Sequence, residues 1–145
     1  MAEELLSRTY RVRGQDFDKA GETSTEIKGL LKSLGIDAGV IRRAVVVAFE
    51  AEMNVVMYAS EGTVRLSLTD EEISIEVADK GPGIPDIALA MQEGFSTASD
   101  EMREMGFGFG MGLPNIKKNS DVFDLVSEVG KGTVLTSRIF LDSHD

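Results

Sequence analysis

Asp79-Lys80-Gly81-Pro82-Gly83-Ile84 follows directly on Ile73-Ser74-Ile75-Glu76-Val77-Ala78, a run whose apolar residues alternate. Alternation of this kind marks a half-buried strand. Parity then puts residues 73, 75, 77 and 79 on its apolar face. A carboxylate that ends an apolar row points beneath whatever layer covers the strand, and there it needs a partner. The amino group of a purine ring is a suitable donor, and Gly81 and Gly83 leave room for the ring. A strand-ending Asp ahead of a Pro-Gly turn is also common for purely local reasons.

A second stretch, Gly106-Phe107-Gly108-Phe109-Gly110-Met111-Gly112-Leu113, has glycine at every second position. It is not a dinucleotide fingerprint, because Met111 and Leu113 stand where a third glycine would be, and no strand precedes it. Nor is it a P-loop, and Gly130-Lys131-Gly132-Thr133 lacks the Ser/Thr after its lysine. The run does supply side-chain-free backbone ahead of a helix that Pro114 is expected to begin, and N–H groups at such an end attract phosphate. Lys117 and Lys118 add local positive charge. A carboxylate at a strand end with two glycine-rich loops predicts a purine nucleotide site, with ATP as the expected ligand.

Between Ala44 and Ala59 only Glu50, Glu52, Asn54 and Tyr58 carry polar side-chain atoms. A helix apolar nearly all round is a buried one, and this one is too polar and too short to span a membrane. Glu50 and Asn54 lie four apart and share a face. Glu52 points about 160° from each of them, at ~100° per residue, and is read as the solvated member of the three. Asn54 offers a hard oxygen suited to Mg²⁺, and Glu50 can orient and deprotonate a nucleophile. The plainer alternative is a pair of ordinary polar residues on a water-facing edge.

Around these stretches the chain reads as strand, helix, helix, strand, strand, short helix, loop, helix, strand, strand. Leu6 to Arg13 forms the first strand. Ile27, Leu30, Leu31 and Leu34 give the next segment, from about Asp16, a helical period that Gly35 closes. Asp37 caps the buried helix. Gly62 opens a hairpin, Pro85 to Gln92 holds a short helix, and Val122–Ser127 and Thr133–Leu141 close the chain as strands. Residues 93 to 112 form a loop long enough to be functional or mobile, with mobility expected when no nucleotide is bound. Tight turns between neighbouring strands imply a mixed, mostly antiparallel sheet with helices on one face, an α/β two-layer sandwich. The 145 residues are expected to form one domain.

A net charge of −10 without a Lys/Arg cluster argues against direct nucleic-acid or membrane binding. The absence of cysteine excludes disulfides and thiolate zinc sites and fits a cytoplasmic location. The acidic start, Met1-Ala2-Glu3-Glu4, does not read as a signal peptide. His144 is the single histidine, which argues against histidine-based catalysis.

Taken in order, Glu50-x-x-x-Asn54, Asp79-x-Gly81-x-Gly83, Gly108-x-Gly110-x-Gly112-Leu113 and Gly132-Thr133 resemble the four boxes of the GHKL superfamily of ATPases, the Bergerat fold of gyrase, histidine kinases and MutL. Asp79 to Ile87, Gly94-Phe95-Ser96-Thr97 and Gly112-Leu113-Pro114 resemble more narrowly the small bacterial anti-sigma-factor and switch-protein serine kinases. The resemblance implies that Asn54 coordinates Mg²⁺, that Glu50 is the general base, and that Asp79 binds the adenine amino group with Thr133 in support through water. It further implies ATP contacts from Gly81, Gly83, Ile84, Gly108, Gly110, Met111, Gly112 and Leu113, with residues 93 to 112 as an ATP lid and Arg103 as a γ-phosphate contact. Lys80, Met53 and the pair Phe107 and Phe109 depart from the usual pattern, and the two phenylalanines are expected to pack against the folded lid.

Two functions follow from this resemblance. One is an Mg-ATP-dependent serine/threonine protein kinase acting on a small regulatory partner, either an antagonist of an anti-sigma factor or a sigma factor. The other is a non-catalytic module that binds ATP or ADP and changes its affinity for a partner. Partnership with a separate histidine-containing phosphoacceptor is a third arrangement. Many members of the superfamily dimerise, so the resemblance also allows a homodimer.

Overall fold

In the computed structural model, which describes residues 3–92 and 112–141, the alternating segments pair into one five-stranded sheet. The strands are β1 (Leu6–Arg13), β2 (Glu61–Leu68), β3 (Glu72–Lys80), β4 (Val122–Glu128) and β5 (Gly132–Phe140). Their order is β1-β2-β3-β5-β4, and every neighbouring pair is antiparallel. The two hairpins, β2–β3 and β4–β5, meet along β3 and β5.

The register builds rows of side chains across one face. Tyr10, Val64, Val77, Leu135 and Leu125 form one row, and Leu6, Leu68, Ile73 and Ile139 another. Val64, Leu66, Ile73, Ile75 and Ile139 on this face are fully buried. The opposite face carries Arg65, Glu76, Thr136 and Arg138, with Val126, Val134 and Phe140 exposed. A single covered face is what the period-2 alternation requires.

The cover is helical. α1 spans Glu22–Ser33 and α2 spans Ala38–Tyr58; a short α3 (Ile87–Ala90) and α4 (Gly112–Lys118) follow. α2 lies on the sheet between α1 and α4. Its two ends are fixed by side chains. Asp37 accepts from Gly39 N (3.0 Å) and Val40 N (3.3 Å) at the start, satisfying donors that no helical carbonyl can reach. Gln15 donates through Nε2 to the carbonyls of Val56 (3.2 Å) and Met57 (2.9 Å) at the end. α1 stops in a Schellman turn, with Gly35 at φ 72°, Gly35 N donating to Lys32 O and Ile36 N to Leu31 O.

Two sequence-based expectations need correction here. The helix expected from about Asp16 is a 3-10 turn at Phe17–Lys19 and then α1, broken at Gly21, whose φ is 98°. Pro114 does not begin α4, because Gly112 and Leu113 before it are already helical.

The third correction concerns Glu52, which is buried, only 2% exposed, and not solvated. Its carboxylate accepts from Gly21 N (3.0 Å), Thr23 N (3.3 Å) and Ser24 N (3.1 Å). Gly21 has no side chain with which to cap α1, so α2 supplies the cap from outside. The charge is tolerated because a helix N-terminus offers both donors and a favourable dipole. Glu52→Ala should therefore cost about 2–4 kcal/mol of unfolding free energy by stranding buried N–H groups. Urea denaturation measures this, and a loss below about 0.5 kcal/mol would contradict the cap.

Candidate functional site

One row of the sheet differs from the others. At the end of the strands, Gly62 on β2 pairs with Asp79 on β3, Asp79 with Thr133 on β5, and Thr133 with Ser127 on β4. These positions continue the helix-facing rows, but polar groups replace aliphatic ones. Thr133 N–H donates to Asp79 Oδ1 at 3.1 Å. The Thr133 and Ser127 hydroxyl oxygens are 2.8 Å apart, and Ser127 Oγ accepts from Ile84 N at 2.7 Å. Burial pushes the Asp79 carboxyl up from its ordinary value, against the opposing pull of the Thr133 N–H.

Glycine keeps this end of the sheet open. A Cβ at Gly81 would stand 3.1 Å from Asp79 Oδ1 and 3.2 Å from the Ala59 methyl group. Gly83 holds φ 78° with Glu128 O 2.4 Å from where its Cβ would be. At Gly132, with φ 139°, a Cβ would lie 2.1 Å from Asp79 O. Only glycine satisfies the last two conformations without strain. Ile84 is tied down by its N–H bond to Ser127, while Pro82 O accepts from Gly130 N at 2.9 Å. The Asp79 turn is thus bound to the β4–β5 hairpin at two points.

A second polar group lies on the flank of α2 that faces α4. Glu50 and Asn54 share that flank, and Gly112 comes against both: a Cβ there would be 3.4 Å from Asn54 Oδ1 and 3.5 Å from Glu50 Oε1. Asn115, one turn along α4, donates through Nδ2 to Glu50 Oε2 at 3.3 Å. Leu113 packs against the hydrophobic core. α2 connects the two groups, since Val55, next to Asn54, lies 3.0 Å from where a Gly62 Cβ would be, and Ala59 lies over Gly81. Asp79 and Thr133 therefore belong to the sheet beneath the C-terminal end of α2, and Glu50 and Asn54 to its flank. Arg103, Gly108, Gly110, Met111, Phe107 and Phe109, with all of the expected lid (93 to 112) except Gly112, lie outside the described residues.

Ser127 and Asn115 are the residues that the sequence reading passed over. The position of Ser127 was available, because a hairpin around Gly130-Lys131-Gly132 puts it opposite Thr133. Asn115 gave no such signal, since its partner lies on another element. A cavity of about 500 Å³ between β1, the start of α1 and α2 is lined by Arg13, Lys19, Glu22 and Glu52 among others. It contains none of the residues expected to hold nucleotide, and the Glu52 oxygens there already serve α1. Among the described residues no helix is long and apolar enough to cross a membrane.

The donor set fits a nucleotide: a half-buried carboxylate for an amino group, hydroxyls beside it on the sheet, and a carboxamide and a carboxylate on the flank of α2. Comparison with known proteins agrees. Residues 39–143 match the family profile described as histidine kinase-, DNA gyrase B- and HSP90-like ATPase. The chain is 33% identical over 110 residues to the serine/threonine-protein kinase RsbT of Bacillus subtilis, covering 73% of this chain and 77% of that protein. It is 36% identical over 91 residues to the anti-sigma F factor of Caldanaerobacter subterraneus subsp. tengcongensis, covering 59% of this chain and 60% of that protein. The anti-sigma F factor of Thermoanaerobacter sp. strain X514 is 32% identical over 99 residues, covering 65% of this chain and 66% of its own length.

The raised pKa of Asp79 and its expected contact with a ligand amino group predict opposite effects on folding and binding. A folded carboxyl with a raised pKa holds its proton more tightly than the unfolded chain does. Stability therefore falls as pH rises from the unfolded carboxylate range through the folded value. Asp79→Asn removes that loss. Without nucleotide at pH 7 its melting temperature should equal or exceed that of the parent, and the gap should narrow as pH falls through the same window. Stabilisation by added ADP should disappear in the same variant. Thermal unfolding with and without ADP measures both, and undiminished ADP stabilisation would contradict the role of Asp79.

Proposed function

Because the chain belongs to the family of histidine kinase-, DNA gyrase B- and HSP90-like ATPases, we propose that it is an Mg-ATP-dependent serine/threonine protein kinase whose substrate is a small regulatory protein. The carrying observation is the juxtaposition of Glu50 and Asn54 on one flank of α2, with Gly112 against both and Asp79 beneath the end of the same helix. The similarity to a serine/threonine-protein kinase and to anti-sigma factors supports a protein substrate concerned with transcription.

Asp79 binds the adenine amino group, and Thr133 and Ser127 stabilise that contact through their hydroxyls. Gly81, Gly83 and Ile84 form the floor beside the base. The phosphates extend toward Asn54, Gly112 and Leu113. Asn54 supplies one hard oxygen to Mg²⁺. Among the described residues no group of three or more His, Asp or Glu could hold a metal by itself. A magnesium ion held there by Asn54 would have to complete its ligands from phosphate and water, as is usual for this ion. The chemistry such an ion would supply is neutralisation of charge on the phosphates.

Glu50 accepts the proton of a serine or threonine hydroxyl as that oxygen bonds to the γ-phosphorus. The bond from phosphorus to the bridging oxygen breaks, and ADP leaves with the electron pair. A positioned base contributes roughly 10²–10⁴-fold. Incubation with labelled ATP, Mg²⁺ and a candidate antagonist protein should give phosphotransfer. Glu50→Gln should lower that rate by about 10²-fold or more while keeping ADP affinity. Asn54→Ala should abolish the Mg²⁺-dependent part of ATP binding. Unchanged transfer in Glu50→Gln would reject the assignment, and nucleotide-dependent partner binding without any transfer would favour the non-catalytic module.

A further inference from the structure

We infer that Asn115 is a positioning residue for phosphotransfer: it holds one oxygen of Glu50 so that the other faces the acceptor hydroxyl. The inference rests on the assignment of Glu50 as proton acceptor. It starts from the division of labour between the two carboxylate oxygens. Oε2 accepts from Asn115 Nδ2 at 3.3 Å. Oε1 lies on the side of Gly112, 3.5 Å from where a Cβ would be, with Asn54 Oδ1 3.4 Å from the same point. Both partners belong to α4, three residues apart and therefore on one face of that helix.

The chemistry admits one orientation of the Asn115 amide. An ionised carboxylate only accepts, so the amide must present its NH₂ to Glu50. That bond costs Glu50 one of its acceptor directions and removes its freedom to rotate. Without it, a glutamate on the flank of a helix samples several rotamers, and few of them aim an oxygen at the space beside Asn54. On the other side, Gly112 puts no side chain between Oε1 and Asn54 Oδ1. The open position therefore lies between the proton acceptor and the proposed metal ligand, where an attacking hydroxyl has to stand. Asn115 thus acts through Glu50 and need not touch nucleotide or substrate.

The test measures kcat and KM for ATP, and the Kd for ADP, in Asn115→Ala, Asn115→Asp, Glu50→Gln and the Glu50→Gln/Asn115→Ala double variant. Asn115→Ala should lower kcat by about tenfold, with KM for ATP and Kd for ADP within about twofold of the parent. Asn115→Asp keeps the shape but presents a like charge, so its kcat should fall further. In the Glu50→Gln background the alanine substitution should cost nothing more. Unchanged kcat in Asn115→Ala, or the same loss in both backgrounds, would overturn the inference while leaving Glu50 as the base. A fully active Glu50→Gln would instead overturn the assignment of the base, and the role of Asn115 with it. Thermal unfolding of each variant separates loss of positioning from loss of fold.

Discussion

A helix buried on most of its surface admits polar side chains only where each finds a partner, and α2 carries three of them within five residues. Glu52 is satisfied by the uncapped start of α1. Glu50 meets Asn115 on α4. Asn54 faces Gly112. The bonds of Glu52 and Glu50, to α1 on one side and α4 on the other, act with the apolar packing of α2 to fix its rotation about its own axis. The rest of the arrangement follows from that rotation. Val55 comes over Gly62 and Ala59 over Gly81, and the polar row of the sheet stays beneath the end of the helix.

The site and the fold are built from the same contacts. Thr133 N–H bonds to Asp79 within a β-ladder pair, and Ser127 links the next strand to the turn at Ile84. The arrangement costs stability in the free protein, because the Asp79 carboxylate is held where burial disfavours its charge. On the proposed reading, a ligand amino group would offset that cost and tie affinity to the same group that weakens the empty fold. Such a conflict between folding and binding is expected at functional positions.

Much of the architecture was legible because it depends on near-neighbour patterns. Alternation located β2 and β3, Asp37 and Gly35 located helix ends, and strand parity placed Asp79 on the covered face. Glu50 and Asn54 were readable as a pair from their spacing. Glu52 was misread because helical geometry alone cannot say what lies on the far flank. Its burial depends on α1 lacking its own cap at Gly21, a feature 31 residues away. The partnership of Asn115 with Glu50 spans 65 residues and escaped for the same reason. Local signals therefore located the candidate groups, while the packing of α2 between α1 and α4 determined which of them meet.

The central claim is that one ligand has its base at Asp79 and its phosphates and metal at Asn54. Two-dimensional amide NMR during titration with ADP, first with Mg²⁺ and then with paramagnetic Mn²⁺, tests it directly. ADP should shift the resonances of Asp79, Gly81, Ile84 and Thr133 together with those of Asn54 and Gly112. Mn²⁺ should broaden the signals around Asn54 and Gly112 far more than those of Asp79 and Thr133. Shifts confined to the cavity between β1 and α1, or broadening centred on Asp79, would contradict it.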